Sequence, residues 1–328
     1  MTIQGGMIKA AGLLGLLALA ACDTPLPEIA DTPPEVRPEP APEPEPPEPE
    51  VTEPSEASKA LATYYRRLQN DLLTQGLLRG DGGGDDTPFT DTQLARNFIR
   101  IALFDEYVTD GDILRPQATL SRLRRWDRPV RMSVEFGPTV TPAQQTRDRT
   151  SVAAYASRLS KITGLQINQT DRNPNFHVLV LNEDDRLDYA DRLKEIVPGI
   201  ANSSLRAITN LPREQLCVVV AFAEGNSASY SKAVAVIRAE HPDLLRTTCF
   251  HEELAQGLGL ANDSPQARPS IFNDDEEFGL LTGHDELLLK MLYDDRFQTG
   301  MSVAEAAPIA REIAAELLNT GTEQASTN

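Results

Sequence analysis

The first third of the chain shows apolar residues at helical spacing. In residues 57–79 they recur every three or four positions, and they do so again after Asp91, a residue type suited to a helix N-cap. The second set continues as far as Val108, and a run of three glycines at 82–84 separates the two. The spacing therefore predicts two amphipathic helices within a helical N-terminal region, residues 57–128, that packs on the main domain.

From residue 129 onward, short apolar runs alternate with amphipathic stretches. Runs typical of strands occupy residues 130–136, 165–167, 176–181, 217–222 and 233–237. Helical periodicity occupies residues 142–163, 184–197, 282–293 and 308–318, and a central helix begins at about Leu244. The order predicts an α+β domain over residues 129–319, with a mixed sheet of four to five strands and C-terminal helices. A disordered tail is expected at residues 320–328.

The N-terminal 21 residues lie outside this pattern. Lys9 is followed by an apolar run that is too short to span a bilayer and that ends in Leu19-Ala20-Ala21-Cys22. This ending resembles the lipobox of bacterial lipoproteins, which implies cleavage before Cys22 and a lipid on its thiol. The alternative, an ordinary export signal, also places the protein outside the cytoplasm. We expect an exported protein that is lipid-anchored to the inner or outer membrane and faces the periplasm.

Residues 22–56 form an acidic segment rich in proline and glutamate. Of the formal net charge of −18, the eleven acidic residues and single arginine of this segment supply −10. Pro-Glu-Pro repeats bury no apolar area and favour extended polyproline II, so the segment is predicted to be a disordered tether. Its charge argues against nucleic acid as a partner. The expected partners are the membrane, through the lipid, and a protein or peptide.

Two cysteines remain once Cys22 is assigned to the lipid. Cys217 begins an apolar strand, and Cys249 lies at the head of the central helix. Two thiols in an exported protein predict a disulfide, which here would join sheet to helix. The alternative is a pair of buried free thiols.

The densest polar signal lies at residues 248–263, where a helix runs into a glycine-assisted turn. Residues four apart share a helix face, so Glu252 and Gln256 lie together and His251 does not. Gly259 supplies the turn, which would bring Asn262 back beside that face.

Aligned on that turn, the segment resembles the H-E-x-x-H-x-x-G-x-x-H motif of metzincin peptidases, with Glu252, Gln256 and Asn262 in place of the histidines. The resemblance implies a zincin-like (metzincin-type) fold with Glu253 in the position of the general base. Residues 269–293 resemble the Met-turn and the helix after it, and Phe272 stands in the place of the methionine. The two motifs together favour this fold.

The whole chain is most similar to the DUF2927 family of proteobacterial lipoproteins. The family signature Glu-Leu-x-Gln-x-Leu-Gly-Leu-x-Asn-Asp occurs at residues 253–263, and Ser-Ile-Phe-Asn-Asp follows at 270–274. This resemblance implies an envelope lipoprotein.

The donor atoms at these positions indicate which metal, if any, the segment can bind. Zinc sites rely on imidazole, thiolate and carboxylate, whereas Glu252, Gln256 and Asn262 offer one carboxylate and two amides. Zinc is therefore unfavourable, and no cofactor is expected; Ca²⁺ or Mg²⁺ is the alternative. Its candidate oxygen ligands are Glu252, Asn262, Asp263, Asp274 and Asp275. The simplest interpretation is a buried hydrogen-bond network of Glu252, Gln256 and Asn262 that holds the turn.

Three functions are consistent with these patterns. The preferred hypothesis is an envelope lipoprotein whose catalytically degenerate zincin-like domain binds a protein or peptide by β-augmentation, with residues 233–237 as the edge strand. The first alternative is an active metallopeptidase with unusual ligands and Glu253 as general base. The second is a purely structural envelope component.

Overall fold

The computed structural model describes residues 52–110 and 113–325. The predicted signal segment, Cys22 and most of the predicted tether lie outside these ranges, as do residues 326–328. Within the described ranges, no helix combines the length and the apolar character needed to cross a membrane.

The N-terminal region begins with two helices and continues as a β-hairpin. Helices α1 (Glu56–Thr74) and α2 (Asp91–Ala102) follow the helical periodicity. Strands β1 (Phe104–Asp110) and β2 (Ile113–Leu120) then pair antiparallel, so the expectation of a helix through Val108 is wrong. The sequence Gly-Asp between the two strands is a hairpin signal that the helical interpretation overlooked.

The described residues contain one larger sheet, of five strands. In chain order they are β3 (Val130–Phe136), β4 (Ile167–Gln169), β5 (Phe176–Leu181), β6 (Cys217–Ala223) and β7 (Tyr230–Arg238). Their spatial order is β4-β3-β5-β7-β6, and β6 runs antiparallel to β7 while the other pairs are parallel. This mixed sheet confirms the predicted α+β class.

The remaining helices pack on both faces of this sheet. They are α3 (Pro142–Thr163), α4 (Glu183–Leu187), α5 (Ala190–Ile196), α6 (Asn202–Thr209), α7 (Asp243–Gln256), α8 (Gly283–Leu292) and α9 (Val303–Ala325). The prediction of α3 is confirmed to the residue: Thr141 caps its start, and Gly164, with φ of 70°, ends it. The helix expected at 184–197 is instead divided into α4 and α5, and α6 was not predicted.

The last helix is longer than its periodicity indicated. Pro308, expected as the first residue, lies inside α9, and the helix continues to Ala325, into the segment expected to be disordered. The signal for the true start is Ser302, whose N–H and hydroxyl both bond Glu305 Oε2, at 2.8 and 2.7 Å. α9 packs on α2, so α2 belongs to the main core.

β5 separates two apolar cores and is buried on both faces, as its run of apolar residues, broken by His177 alone, predicts. Phe176, Val178 and Val180 belong to the larger core, which also contains residues of α2, α3, α7, α8 and α9. Leu179 and Leu181 face the smaller core, beneath α5 and α6.

The edge of the sheet lies one strand away from its predicted position. β7, which contains residues 233–237, pairs with β5 on one side and with β6 on the other, so it is an interior strand. Burial agrees with this order, because Ala233 to Ile237 are fully buried while most of β6 is only half-buried. The edge strand on this side is therefore β6.

A disulfide fastens this edge to α7. Cys217, the first residue of β6, bonds Cys249 in α7 with an S–S distance of 2.02 Å. The predicted bridge between sheet and helix is confirmed. It fixes the start of the edge strand beside the segment with the metzincin-like spacing.

Candidate functional site

Helix α7 directs its polar side chains into a cavity beside the edge strand. Its apolar residues Phe250 and Leu254 are buried in the larger core, and the helix contacts both β6 and β7. Glu252, Glu253 and Gln256 line a cavity of about 180 Å³. The same helix therefore anchors the fold with one face and forms a polar wall with another.

Seven carboxylates from five separate segments line this cavity, which we call the acidic pocket. They are Glu106 of β1, Glu214 from the loop before β6, Glu252 and Glu253 of α7, Asp263 after the turn, and Asp274 and Glu276 from the loop before α8. Among the described residues, the lining contains no lysine, arginine or histidine, and Glu214 pairs with Arg213, which lies outside the lining. The pocket thus concentrates negative charge with little protein counter-charge.

Burial and mutual repulsion both act against ionisation here. Burial, with a smaller contribution from nearby carboxylates, raises the pKa of Glu252, Glu253 and Asp263 well above the usual range. Burial likewise raises the pKa of Glu106 to about 7, and it raises the pKa of Glu276. Asp274 is exposed and marks the side on which the pocket meets solvent. The pocket is therefore poised to take up protons or a cation.

Glu253 is the most constrained member of the pocket. Its side chain is only 4% exposed, and its Oε2 atom has no hydrogen-bond partner among the described residues. The nearby N–H of Val219 in β6 lowers the pKa of Glu253, but burial outweighs this effect. One carboxylate oxygen of Glu252 lies within 4.8 Å of one of Glu253. The Cys217 sulfur lies equally close, but its disulfide removes the thiolate that a metal would need.

The predicted ligands are only partly brought together. Glu252 and Gln256 share the pocket with Asp263, whose Oδ1 accepts a hydrogen bond from Gln256 Nε2 at 3.1 Å. Asn262 points elsewhere: its Nδ2 donates to the carbonyl of Arg100 at 2.9 Å, at the end of α2. The expected network of Glu252, Gln256 and Asn262 is therefore wrong, because Asp263 takes the place of Asn262.

Of the five candidate ligands for a hard cation, three lie in the pocket and two do not. Glu252, Asp263 and Asp274 are in the lining, whereas Asn262 and Asp275 are not. Sequence reasoning missed Glu106, Glu276 and also Glu214, which lies in the loop before β6. Glu106 was placed on a helix instead of in the hairpin, and Glu276 enters through a backbone with φ of 56°, which periodicity does not report.

The histidines all lie outside the pocket lining. His251, on the opposite side of α7 from Glu253, stacks on Tyr155 with ring centroids 4.0 Å apart, and its Nδ1 accepts the N–H of Leu281 at 2.9 Å. Burial lowers the pKa of His251 to about 4. His251 therefore makes packing and hydrogen-bond contacts within the fold. This agrees with the prediction that it does not share a helix face with Glu252 and Gln256.

The turn after α7 has the geometry expected of its glycine. Gly259 has φ of 128°, and a Cβ built there would lie 2.3 Å from the carbonyl oxygen of Arg124. Phe272, in the second motif, is fully buried in the larger core. Both residues serve packing around the pocket.

A second, larger cavity continues from the acidic pocket along β6, and we call it the edge groove. It has a volume of about 580 Å³ and lies between β6, α6 and the β1–β2 hairpin. Its walls include Val218, Val220 and Ala221 of β6, and Tyr107 and Pro116 of the hairpin. The two cavities share several lining residues, namely Glu106, Tyr107, Gln215, Val218, Val219 and Gln256.

Comparison with known proteins identifies one family. A family model described as "Protein of unknown function (DUF2927)" matches residues 91–312, from the first residue of α2 into α9. The match therefore includes the hairpin, the sheet and every residue of the acidic pocket. No curated protein matches the chain, and no solved structure does.

Proposed function

The chain belongs to the DUF2927 family, and we propose that it is an exported lipoprotein whose zincin-like domain holds an extended peptide segment against β6 without cleaving it. In this proposal Cys22 carries the lipid, and residues 22–56 tether the domain to the membrane. The occupant of the edge groove is a segment of another envelope protein in extended conformation.

The element order supports the zincin-like interpretation. A strand and a long helix (β3 and α3) precede the remaining strands, and α7 with its motif follows the sheet and lies beside an antiparallel edge strand. A tight turn and the capped helix α8 come next, where the metzincin resemblance expects them. The edge strand, the motif helix and the cleft between them are the parts that such a domain uses to hold peptides.

The observation that carries the proposal is the orientation of the β6 backbone. Ala233 of β7 donates its N–H to Asn175 at 2.9 Å, on the β5 side, and Ala233 is paired with Ala221. In an antiparallel ladder such a pair is not hydrogen-bonded, so the N–H and C=O of Ala221 point away from β7. Val219 has the same parity, and its N–H meets Glu253. The groove-facing edge of β6 is therefore suited to accept another strand.

The lining of the edge groove fits an apolar peptide segment. Val218, Val220 and Pro116 provide apolar contact, and Tyr107 adds an aromatic wall held by a 3.0 Å hydrogen bond from Gln215 Nε2. Main-chain hydrogen bonds would supply affinity, and the alternate side chains of the peptide would meet these walls.

Holding without cleavage follows from the donors at the pocket. A catalytic zinc needs imidazole, thiolate or a suitable carboxylate set, with an open position for water. The histidines lie outside the pocket, Cys217 is oxidised, and Gln256 offers an amide. The residues present therefore do not fit zinc, and we derive no hydrolytic step from Glu253.

Substitution of Ala221 tests the edge strand directly. Ala221→Pro removes one outward-pointing N–H while leaving the bonds to β7 in place, whereas Ala221→Val keeps the donor. On an array of short synthetic peptides, we expect the purified protein and A221V to bind a common subset, and A221P to bind it about tenfold more weakly or worse. Thermal unfolding of both variants verifies that they fold.

Equal binding by A221P, or no peptide bound by the unmodified protein, would reject the edge groove as a peptide site. The peptidase alternative makes a different prediction. If the purified protein contains stoichiometric zinc and cleaves peptides, and if Glu253→Gln abolishes the cleavage, then the holding function is wrong.

A further inference from the structure

The acidic pocket lacks the partners that buried carboxylates ordinarily have. Charged groups removed from water are normally paired with an opposite charge or coordinate a metal. Of the seven carboxylates here, Glu214 pairs with Arg213 outside the lining. The others meet Gln256, Tyr107 and the N–H of Val219, and no cationic side chain lies in the lining among the described residues.

Glu253 is the buried member of this cluster that lacks a partner. The residue is only 4% exposed, it lines the pocket, and its Oε2 has no hydrogen-bond partner among the described residues. A buried oxygen without a donor is destabilising unless a ligand completes its coordination. Glu253 therefore points to a ligand that offers positive charge within the pocket.

We propose that the acidic pocket binds one partly hydrated divalent cation, Ca²⁺ in preference to transition metals, with Glu252, Glu253 and Asp263 as its principal ligands. All available donors are oxygen atoms, which suits hard cations. The proposal extends beyond peptide holding and does not depend on it.

The dimensions of the pocket indicate that water remains on the ion. Glu252 and Glu253 have oxygens within 4.8 Å of each other, close enough to share one ion of Ca²⁺ size at roughly 2.3–2.6 Å from each. Asp263, held by Gln256, and the exposed Asp274 line the same cavity of about 180 Å³. That volume exceeds what a bare ion fills, so water completes the shell between the ion and the outer carboxylates.

Calorimetric titration of the purified, chelator-treated protein with CaCl₂ tests the site. We expect saturable binding of one ion, with a dissociation constant of about 1 mM or tighter, as in extracellular calcium modules. The unfolding midpoint should rise with CaCl₂ and not with NaCl of equal ionic strength, because only a ligand specific to the folded state stabilises it in this way.

Two isosteric variants and one control locate the ion. Glu253→Gln and Asp263→Asn should each weaken Ca²⁺ binding about tenfold or more. The control is Glu214→Gln: Glu214 also lines the pocket, but it is paired with Arg213 at 2.8 Å and its side chain is 68% exposed, so the affinity should change less than about threefold.

Two results overturn the proposal. The first is the absence of saturable heat and of any midpoint shift beyond that given by NaCl. The second is unchanged Ca²⁺ affinity in both E253Q and D263N, which places the ion elsewhere. Neither result bears on peptide binding at Ala221, because the titration contains no peptide.

Discussion

Two buried carboxylates near the same motif segments have opposite surroundings. Asp285 at the start of α8 is fully buried and accepts four hydrogen bonds: from Ser270 Oγ at 2.5 Å, Ile271 N–H at 3.1 Å, and the N–H and Oγ1 of Thr282 at 3.0 and 2.8 Å. Glu253 is almost as buried, yet one of its oxygens has no partner among the described residues, and its neighbours are other acids.

This difference separates a structural acid from a candidate ligand. Asp285 joins the loop after the pocket to α8, and its charge is satisfied inside the protein. Glu253 lies in low dielectric without such compensation, a condition that proteins tolerate chiefly where the group has a function. The acid type and its burial do not discriminate between the two roles; the hydrogen-bond partners do.

The largest expected effect comes from removing the structural acid. Asp285→Ala would leave the donors of Ser270, Ile271 and Thr282 without their acceptor in the interior, and we expect the free energy of unfolding to fall by about 3–5 kcal/mol. Urea denaturation measures it. The matched control is Glu286→Ala, one residue further along, whose partly exposed ion pair with Arg158 should contribute less than about 1 kcal/mol. Equal losses in the two variants would contradict the structural role.

Much of the fold could be predicted because its signals are local. The bounds of α3 follow from Thr141 and Gly164, and β5 follows from a run of apolar residues that only His177 interrupts. The disulfide between Cys217 and Cys249 follows from the expectation of export and from the two cysteines that remain once Cys22 is assigned to a lipid. The role of Asp285 at the start of α8 also follows from the sequence, because its spacing from Thr282 is that of a capping box.

The pocket was harder to predict because it is assembled from distant segments. Its α7 residues follow from helical spacing, but Glu106 depends on a hairpin that was interpreted as helix, and Glu276 depends on a left-handed backbone. The identity of the edge strand depends on the strands that pair with β7, and tertiary packing determines that pairing. Sequence periodicity reports none of these three facts.

A buried histidine, His241, is an intermediate case between Asp285 and Glu253, and its contribution to stability depends on pH. His241 packs against Tyr65 with ring centroids 4.4 Å apart, and its Nε2 has no partner among the described residues. Burial, aided by Arg238 and Arg246, lowers its pKa well below the usual value. This group avoids the cost of a buried charge by staying neutral in the folded protein.

The sign of the effect follows from proton uptake. Below about pH 6.5 the unfolded chain binds a proton at His241 and the folded protein does not, so stability is lost as the pH falls from there toward the folded pKa, by up to about 1.4 kcal/mol per pH unit. Urea denaturation of the unmodified protein and of His241→Gln at several pH values between 7 and 5 gives the free energy of unfolding of each. The contribution of His241 is the difference between the two proteins in the slope of this free energy against pH. Parallel slopes would show that His241 is protonated in the folded state.

The smallest expected change in stability is that of Glu253→Gln, and it tests the contrast between Glu253 and Asp285 most directly. Glu253→Gln keeps the shape of the side chain and an oxygen for the N–H of Val219, and it removes an ionisable group whose pKa burial and neighbouring acids raise well above the usual range. Above the usual carboxyl pKa the unfolded chain ionises Glu253 more readily than the folded protein does, which costs stability that the amide does not lose. In cation-free buffer near pH 8, we expect the variant to be more stable by about 0.5–1 kcal/mol, as substitutions at functional sites often are. Urea denaturation measures the change. If E253Q is instead destabilised by several kcal/mol, as Asp285→Ala should be, then Glu253 is a second structural acid and the contrast between them disappears.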